Sequence, residues 1–254
     1  MGQISKIEWT DATWNPVTGC SKVSPGCAHC YAETLSLRRG WSTQSWLPAN
    51  AVANVILHED RLVLPLRWKD HKRVFVNSMS DLFHELVPDE FIGRVFAIMA
   101  QAERHIFQVL TKRPERMQTW VTAHYPDPLP NVWLGTSVEN QRWATTRIPL
   151  LLSTPAVVRF LSCEPLLGPL DLNPWLLDNP RSPDNRLHWV ITGGESGVGF
   201  RPCDQDWVRV LRDQCVLAGV AFFHKQWGGR TPKSNGRLLD ERTWSDFPNA
   251  TDLH

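Results

Sequence analysis

The chain has 254 residues, of which 42% are hydrophobic and 21% are charged, and its formal net charge is +1. This composition excludes an intrinsically disordered protein. A charge so close to zero gives no global electrostatic reason to bind nucleic acid or a membrane. No long apolar run and no apolar leader is visible, so we expect a cytoplasmic protein without membrane contact. The thirteen tryptophans, against two tyrosines, suit either an apolar core or a surface on which flat ligands stack.

The first predicted elements surround a cluster of cysteines. A strand is expected near residues 4–10, and a helix is expected to end at Arg39, because Gly40 can stop it. Between them lies the segment TGCSKVSPGCAHCYAE, residues 18–33, with three cysteines in the spacing C-x6-C-x2-C: Cys20, Cys27 and Cys30. In a reducing compartment such a cluster indicates a metal or catalytic site rather than a disulfide framework.

Short apolar segments rich in β-branched and aromatic residues follow along the chain. Each ends in a polar cluster, and their ranges are 73–81, 105–113, 131–140, 156–165, 188–197 and 220–229. Helices are expected between them, beginning near Pro88, Pro114 and Asp204, because proline and aspartate favour the start of a helix. Strands that are apolar on both faces and alternate with helices indicate a parallel sheet. We therefore predict an α/β fold, a complete or partial (β/α) TIM-like barrel of about six to seven parallel strands.

The predicted barrel forms a single domain over residues 1–254. Segment 171–186 is rich in proline and asparagine, which predicts a surface excursion. The residues from about 230 to 254 are expected to form a C-terminal appendage folded over the barrel.

Polar residues at the C-terminal ends of the predicted strands indicate a site at that end of the barrel, where barrel enzymes place their active sites. Lys112 and Arg113 suit a carboxylate or a phosphate. Glu164 ends an apolar strand and needs a ligand or a cationic partner. Helix capping and tight turns are the alternative explanations. The strand-end candidates are Asn77, Ser78, Ser80, Asp81, Lys112, Ser137, Glu139, Glu164, Gly193, Gly194, Glu195 and Lys225.

The cysteine cluster itself allows three interpretations. The thiols could be packed as small apolar groups, or they could bind zinc with a fourth ligand from His29, Cys163, Cys203 or Cys215. An iron–sulfur cluster is the third interpretation. Such clusters normally have four thiolate ligands, so three would leave one iron open to a substrate or cofactor.

Several segments between Trp14 and Trp244 form a recognisable set: TGCSKVSPGCAHCYAE, SMSDLFH, LTKRPERM, NVWLGTSVE, SCEPLLGPLDL, WVITGGESG, the pair RP at 201–202, KQWG and GRLLDERTW. Together they resemble a phage- and prophage-associated family with a three-cysteine motif, whose members are described as radical-SAM-like. The resemblance implies a 4Fe–4S cluster bound by the three cysteines, with S-adenosylmethionine (SAM) at the fourth iron. It also implies that an external electron donor reduces the cluster, so that SAM is cleaved to methionine and a 5′-deoxyadenosyl radical.

The resemblance gives the strand ends roles in an enzyme of this type. Contacts with SAM are expected from Tyr31, Asn77, Ser78, Ser80, Asp81, Ser137, Glu139, Glu164, Gly193, Gly194 and Glu195. Glu164, Lys112 and Lys225 are the expected catalytic residues. A nucleotide or nucleic acid is the expected substrate, because of the phage association and the basic and aromatic strand ends.

Two departures from the superfamily pattern leave a rival open. The first cysteine gap is longer than the common C-x3-C-x2-C spacing, and the GGE motif expected on the second strand occurs at 193–195 instead. A non-catalytic zinc or iron–sulfur protein that binds nucleic acid is therefore the alternative. A metal-dependent hydrolase is the weakest hypothesis, because no HxH or HExxH spacing accompanies the carboxylates.

Overall fold

The computed structural model describes residues 5–176 and 185–248. In chain order the strands are β1 (Ala12–Trp14), β2 (Val17–Thr18), β3 (Ile56–Leu57), β4 (Arg73–Val76), β5 (Ile106–Thr111), β6 (Val132–Ser137), β7 (Val158–Cys163), β8 (Trp189–Gly193) and β9 (Ala221–Gln226). The helices are α1 (Tyr31–Arg38), α2 (Ala51–Asn54), α3 (Asp89–Gln101), α4 (Pro114–His124), α5 (Gln141–Leu152), α6 (Asn173–Leu176) and α7 (Gln205–Leu217).

Seven strands form one parallel sheet in the order β1-β4-β5-β6-β7-β8-β9. Strands β2 and β3 form a separate antiparallel pair. Among the described residues the end strands β1 and β9 are not paired with each other, so the sheet is a curled, partial barrel. The predicted α/β fold with a partial barrel of parallel strands is confirmed. No helix in the described ranges is long and apolar enough to cross a membrane.

The strand and helix predictions differ from the structure mainly at the N-terminus. The strand predicted near residues 4–10 is wrong in position, because the first strand is β1 and its register pairs Ala12 with Val74. The residues before β1 turn instead, with Thr10 N donating to Ile7 O at 3.2 Å. Helices α2 and α5 and the β2–β3 pair had no sequence prediction. Residues 177–184 of the predicted surface excursion and residues 249–254 of the predicted appendage lie outside the described residues.

The inner face of the sheet carries an aromatic floor. Gly135 makes room for it, because a Cβ at this position would lie 2.6 Å from the ring of Phe160. Rings here meet edge to face, as in the Trp9–Trp189 pair with centroids 6.2 Å apart, which is a favoured aromatic geometry. The tryptophans of this region are therefore core residues. The floor consists of Trp9, Phe75, Trp133, Val158, Phe160, Trp189, Ile191 and Phe223.

The C-terminal segment runs antiparallel beside β9. His224 N donates to Trp244 O and Asp246 N donates to Phe222 O, both at 3.1 Å. Phe247 then packs on Trp189, with ring centroids 5.1 Å apart. These contacts cover the aromatic floor on the side away from the carboxyl ends of the strands. The open space inside the barrel therefore lies at the carboxyl ends.

Candidate active site at the carboxyl ends of the strands

A cavity of about 580 Å³ lies at the carboxyl ends of the parallel strands. We call it the cysteine cavity, because all three clustered cysteines line it. Fourteen of the sixteen residues predicted for the site share this wall: Cys20, Cys27, Cys30, Tyr31, Asn77, Ser78, Ser80, Asp81, Lys112, Ser137, Glu164, Gly194, Glu195 and Lys225. The other two, Glu139 and Gly193, do not line the cavity.

The three cysteines lie on a loop that is tied to the end of β4. Gly19 N donates to Met79 O at 3.0 Å. Gly19 has a φ of +81°, and a Cβ there would lie 1.8 Å from Asn54 O, so this turn requires glycine. Cys27 ends a short 3-10 turn, and Cys30 is the N-cap of α1. The loop therefore presents its thiols from three different backbone positions around one cavity.

The donor set suits an iron–sulfur cluster better than a closed zinc site. Zinc in a structural site needs four ligands at about 2.0–2.3 Å, yet in the described ranges no three His, Cys, Asp or Glu side chains are grouped to hold one metal ion. Cys163 and Cys215 are buried in the core, and His29 Nδ1 is hydrogen-bonded to Glu195. A 4Fe–4S cluster binds each thiolate through a different iron, and thiolates are its usual ligands. Three thiols around a wide cavity fit such a cluster.

Cys20 and Cys30 lie in a setting that favours the neutral form of their thiols. Burial raises the pKa of Cys20 to about 12 and also raises the pKa of Cys30. Asp81 raises the pKa of Cys20 further, whereas Arg113, whose Nη1 lies 3.6 Å from Cys20 Sγ, lowers it. Metal ligation requires the thiolate, so a bound cationic cluster would reverse this preference.

Glu195 anchors the cysteine loop to the end of β8. It accepts hydrogen bonds from His29 Nδ1 at 2.8 Å and from Arg201 Nε at 2.9 Å. Arg201 Nη2 also donates to Pro25 O at 2.9 Å, within the loop itself. Burial tends to raise the pKa of Glu195, but the hydrogen bonds from Arg201 outweigh it and lower that pKa. Glu195 is therefore ionised and its oxygens are largely occupied by protein donors.

Glu139 anchors the same loop from the other side. It is fully buried, accepts a hydrogen bond from Ser24 Oγ, and pairs with Arg147 Nη1 at 3.1 Å. A Cβ at Gly26 would lie 2.4 Å from Glu139 Oε1, so the loop approaches this carboxylate closely because residue 26 is glycine. Both carboxylates were predicted to contact SAM, and the structure shows both holding the loop.

Asp81 links the ends of β4 and β5. Its carboxylate accepts from Thr111 Oγ1 at 2.7 Å, Lys112 N at 3.0 Å and Arg113 Nη1 at 3.2 Å. Phe83 N adds a fourth donor at 3.0 Å. With four protein donors, this carboxylate has little capacity left for a ligand.

The serine hydroxyls after β4 also donate inward. Ser80 Oγ donates to Val17 O at 2.8 Å, and Ser78 Oγ donates to Asn15 Oδ1 at 3.2 Å. Tyr31 OH donates to Ser78 O at 2.6 Å, which joins the start of α1 to the end of β4. These residues shape the cavity wall, and only the hydroxyl lone pairs remain for a ligand.

Among the site residues predicted from the sequence, Asn77 and Lys112 keep an amide and an ammonium donor without a protein partner in the described ranges. Asn77 is 2% exposed, and its Oδ1 accepts from Val17 N at 3.2 Å, while Nδ2 has no hydrogen-bond partner among the described residues. A buried donor without an acceptor is unfavourable, so this amide suits a ligand acceptor. The Lys112 ammonium forms no ion pair within the described ranges.

Glu164 has the cationic partner that the sequence predicted. Its Oε1 lies 3.0 Å from Lys225 Nζ, and its Oε2 accepts from Ser162 Oγ at 3.2 Å. Two glycines at the end of β8 make room for neighbouring strand ends. A Cβ at Gly193, the last residue of β8, would lie 2.6 Å from Glu164 Oε1, and a Cβ at Gly194, which follows it, would lie 2.0 Å from Trp227 O. Their small size thus serves protein packing at these two positions.

The chain matches, over residues 4–248, a family described as a protein of unknown function, DUF5131. The chain belongs to this family. No curated protein matches the DUF5131 chain. The phage association suggested by its motifs stays a prediction.

Solved structures of spore photoproduct lyase are similar to this DUF5131 chain. One mutant is 11% identical, with a TM-score of 0.46, and the match covers 91% of this chain and 79% of the lyase chain. Another mutant, with bound AdoMet and dinucleoside spore photoproduct, is 11% identical with a TM-score of 0.43. A third structure, of the lyase complexed with dinucleoside spore photoproduct, is 11% identical with a TM-score of 0.40. The DUF5131 chain spans 61% of the length of each of the last two.

Three residues that organise the DUF5131 site were missing from the sequence candidates. Ser24 and Arg147 hold Glu139, and Arg201 holds both Glu195 and the loop. Arg201 belongs to an Arg-Pro pair that gave a weak signal. Arg147 lies on α5, which the sequence analysis did not delineate, so nothing indicated its role.

Proposed function

We propose that the chain is a radical-SAM-like enzyme that binds a 4Fe–4S cluster through Cys20, Cys27 and Cys30 and SAM at the fourth iron. The observation that carries the proposal is the lining of the cysteine cavity. In the part of the chain that the structure describes, three cysteines border the cavity and no fourth does. The three cysteines would hold the cluster, and the cluster and SAM together would supply the radical chemistry, hydrogen abstraction, with the electron coming from an external donor.

The protein's own contribution is to hold the cysteine loop in place. Glu139 and Glu195 reach it from two sides, through Ser24 in one case and through His29 and Arg201 in the other. Residues locked in this way reduce the reorganisation needed when a ligand binds. The loop is thus supported by protein contacts on two sides.

Among the strand-end carboxylates of the cavity wall, Asp81, Glu164 and Glu195, Glu164 is the one best suited to accept from SAM. Asp81 and Glu195 are each held by several protein donors, whereas Glu164 has only Lys225 and Ser162. An ammonium or hydroxyl of the cofactor is the expected donor. The free Nδ2 of Asn77 would then serve an acceptor such as the cofactor carboxylate.

The substrate we propose is a nucleotide or a nucleic acid. The cavity is bordered by the largely buried rings of Trp9 and Phe75 and by the cations Lys112 and Lys225. The cations suit a phosphate, and the apolar end of the cavity suits a flat base.

Protein purified without oxygen tests the proposal. We expect about four irons and four sulfides per chain, with a visible and EPR spectrum that shifts on addition of SAM. Cys27→Ala should lose the iron, whereas Cys203→Ala is the matched control, because Cys203 does not line the cavity and should keep it. One equivalent of zinc in a colourless protein, or iron that survives Cys27→Ala, would contradict the proposal.

A further inference from the structure

A second cavity, of about 360 Å³, shares the side chains of Lys112 and Arg113 with the cysteine cavity. We call it the basic cavity. Its remaining cations, Arg116 and Arg147, come from α4 and α5, and Trp143 forms part of the wall. Its two carboxylates, Glu85 and Glu115, are exposed. Positive charge therefore predominates in the basic cavity.

Two of the four cations are already engaged by the protein. Arg113 pairs with Asp81 and Glu85, each at 3.2 Å. Arg116 pairs with Asp89 and donates to Val87 O at 2.7 Å. These two side chains build the cavity wall and leave little hydrogen-bonding capacity for a ligand.

The other two cations keep donors available. Lys112 forms no ion pair among the described residues. Arg147 is 2% exposed, and only its Nη1 is used, donating to Ser137 O at 2.8 Å and to Glu139 Oε2 at 3.1 Å. Its Nε and Nη2 have no hydrogen-bond partner in the described ranges, and the guanidinium lies 4.1 Å from the Trp143 ring. A buried guanidinium with two unused donors points to an acceptor from outside the chain.

The start of α4 adds a further attraction for an anion. The helix has eleven residues and begins at Pro114, in the wall of the basic cavity. No side chain caps its first turn. Uncapped N–H groups and the helix dipole favour a negative charge at this position.

We propose that the basic cavity binds a phosphate group of the substrate, next to the site of chemistry in the cysteine cavity. A phosphate offers several acceptor oxygens, which match an ammonium and the fork of a guanidinium. Because Lys112 borders both cavities, a nucleotide bound in this way directs its base toward the thiols. The phosphate site follows from the cations of the basic cavity alone, whereas this orientation of the base rests on the proposed function.

Binding of a fluorescent ten-nucleotide oligothymidylate to the full chain, purified without oxygen and measured without SAM over a range of salt concentrations, tests the proposal. Lys112→Gln should weaken binding several-fold and lower the slope of log K against log salt by about 0.7, the value for one phosphate contact of a single strand. Lys69→Gln removes the same charge from an exposed lysine outside both cavities and should change neither quantity. Lys112→Arg should restore binding.

The same assay separates the two sources of a phosphate. Competition by thymidine monophosphate would support a free nucleotide as the substrate, and failure of that competition with retained Lys112 dependence would support a strand. Equal affinity and equal salt slope for Lys112→Gln and Lys69→Gln would overturn the phosphate site, and so would a wild-type chain that does not bind the oligonucleotide at low salt.

The cluster is not needed for this measurement, so the two proposals can fail separately. Cys27→Ala should bind the oligonucleotide with the same dependence on Lys112. A chain that lacks iron but keeps this dependence would contradict the radical-SAM proposal alone. A chain whose spectrum responds to SAM but whose binding ignores Lys112 would overturn the phosphate site alone.

Discussion

The same strands carry the aromatic floor and the polar side chains at their carboxyl ends. We call these strand-end side chains, among them Ser162, Glu164 and Lys225, the polar rim. On β9, Phe223 packs in the floor, and Lys225, two residues later, pairs with Glu164 in the rim. On β7, Phe160 and Ser162 show the same change. Alternate residues of a strand lie on the same face of the sheet. A residue that packs in the floor is therefore followed, two positions later on the same face, by a residue of the rim. Packing in the floor holds the strands in place, and the strand ends thereby bring the polar and charged side chains of the rim together.

Removing a floor residue should have the largest effect on stability. Trp189→Ala should lower the free energy of unfolding by about 3–5 kcal/mol, because it leaves a cavity among the rings of Trp9, Trp133, Phe160 and Phe223. Urea unfolding at constant m-value measures the change. Trp41→Ala, at a residue that is 43% exposed, is the control and should cost about 0.5 kcal/mol or less. A loss at Trp189 no larger than the control would mean that the floor is not a packed core.

His224 lies between the two regions on β9 and gives the next largest effect, through pH. It is fully buried, its Nδ1 is 3.0 Å from Thr192 Oγ1, and burial, together with Arg237, lowers its pKa to about 4. The unfolded chain takes up a proton below about pH 6.5, whereas the folded chain does so only near pH 4. The stability that this difference contributes is therefore complete above pH 6.5 and is lost as the pH falls toward 4.

Urea unfolding at pH 7 and pH 4.5 measures this contribution. Wild type should lose about 2–3 kcal/mol more than His224→Gln over this interval. The comparison uses the difference between the two proteins, so other buried groups that titrate in both cancel. An identical pH response of wild type and variant would show that His224 is already protonated in the folded chain at pH 4.5.

A substitution in the cysteine loop should affect the iron content of the protein more clearly than its stability. In Gly26→Ala the new methyl group meets the Glu139 carboxylate, because its Cβ would lie 2.4 Å from Oε1. We expect the cysteine loop to shift, so that iron content falls and the free energy of unfolding drops by about 1–3 kcal/mol. Gly168→Ala is the matched control, because its Cβ would make an ordinary contact at 3.6 Å. Full iron content in Gly26→Ala would show that the loop tolerates a shift away from Glu139.

The contrast between floor and rim also explains how far the sequence could be interpreted. Apolar runs that end in polar clusters located six strands and the strand-end part of the cavity wall, because strand period and strand ends are local features. The partners of Glu139 and Glu195 are not local: Arg201 reaches Pro25 across 176 positions. Helix α5 was missed because Pro149 and two threonines weaken its helical pattern. The sequence therefore identified many of the side chains that border the cavity, but not the residues that hold them in place, such as Ser24, Arg147 and Arg201.

The smallest of the expected effects concerns Glu164, which has fewer protein donors than Asp81 and Glu195, the other strand-end carboxylates of the cavity wall. Glu164→Gln should leave the iron content unchanged, because this residue does not contact the cysteine loop in the described structure. It should weaken SAM binding about tenfold, as expected for the loss of one charge-assisted hydrogen bond. Calorimetric titration of SAM into the anaerobic protein measures the change, with the exposed Glu115→Gln as control. Unchanged affinity for SAM would show that Glu164 does not bind the cofactor. Loss of iron would show that Glu164 helps to hold the cysteine loop.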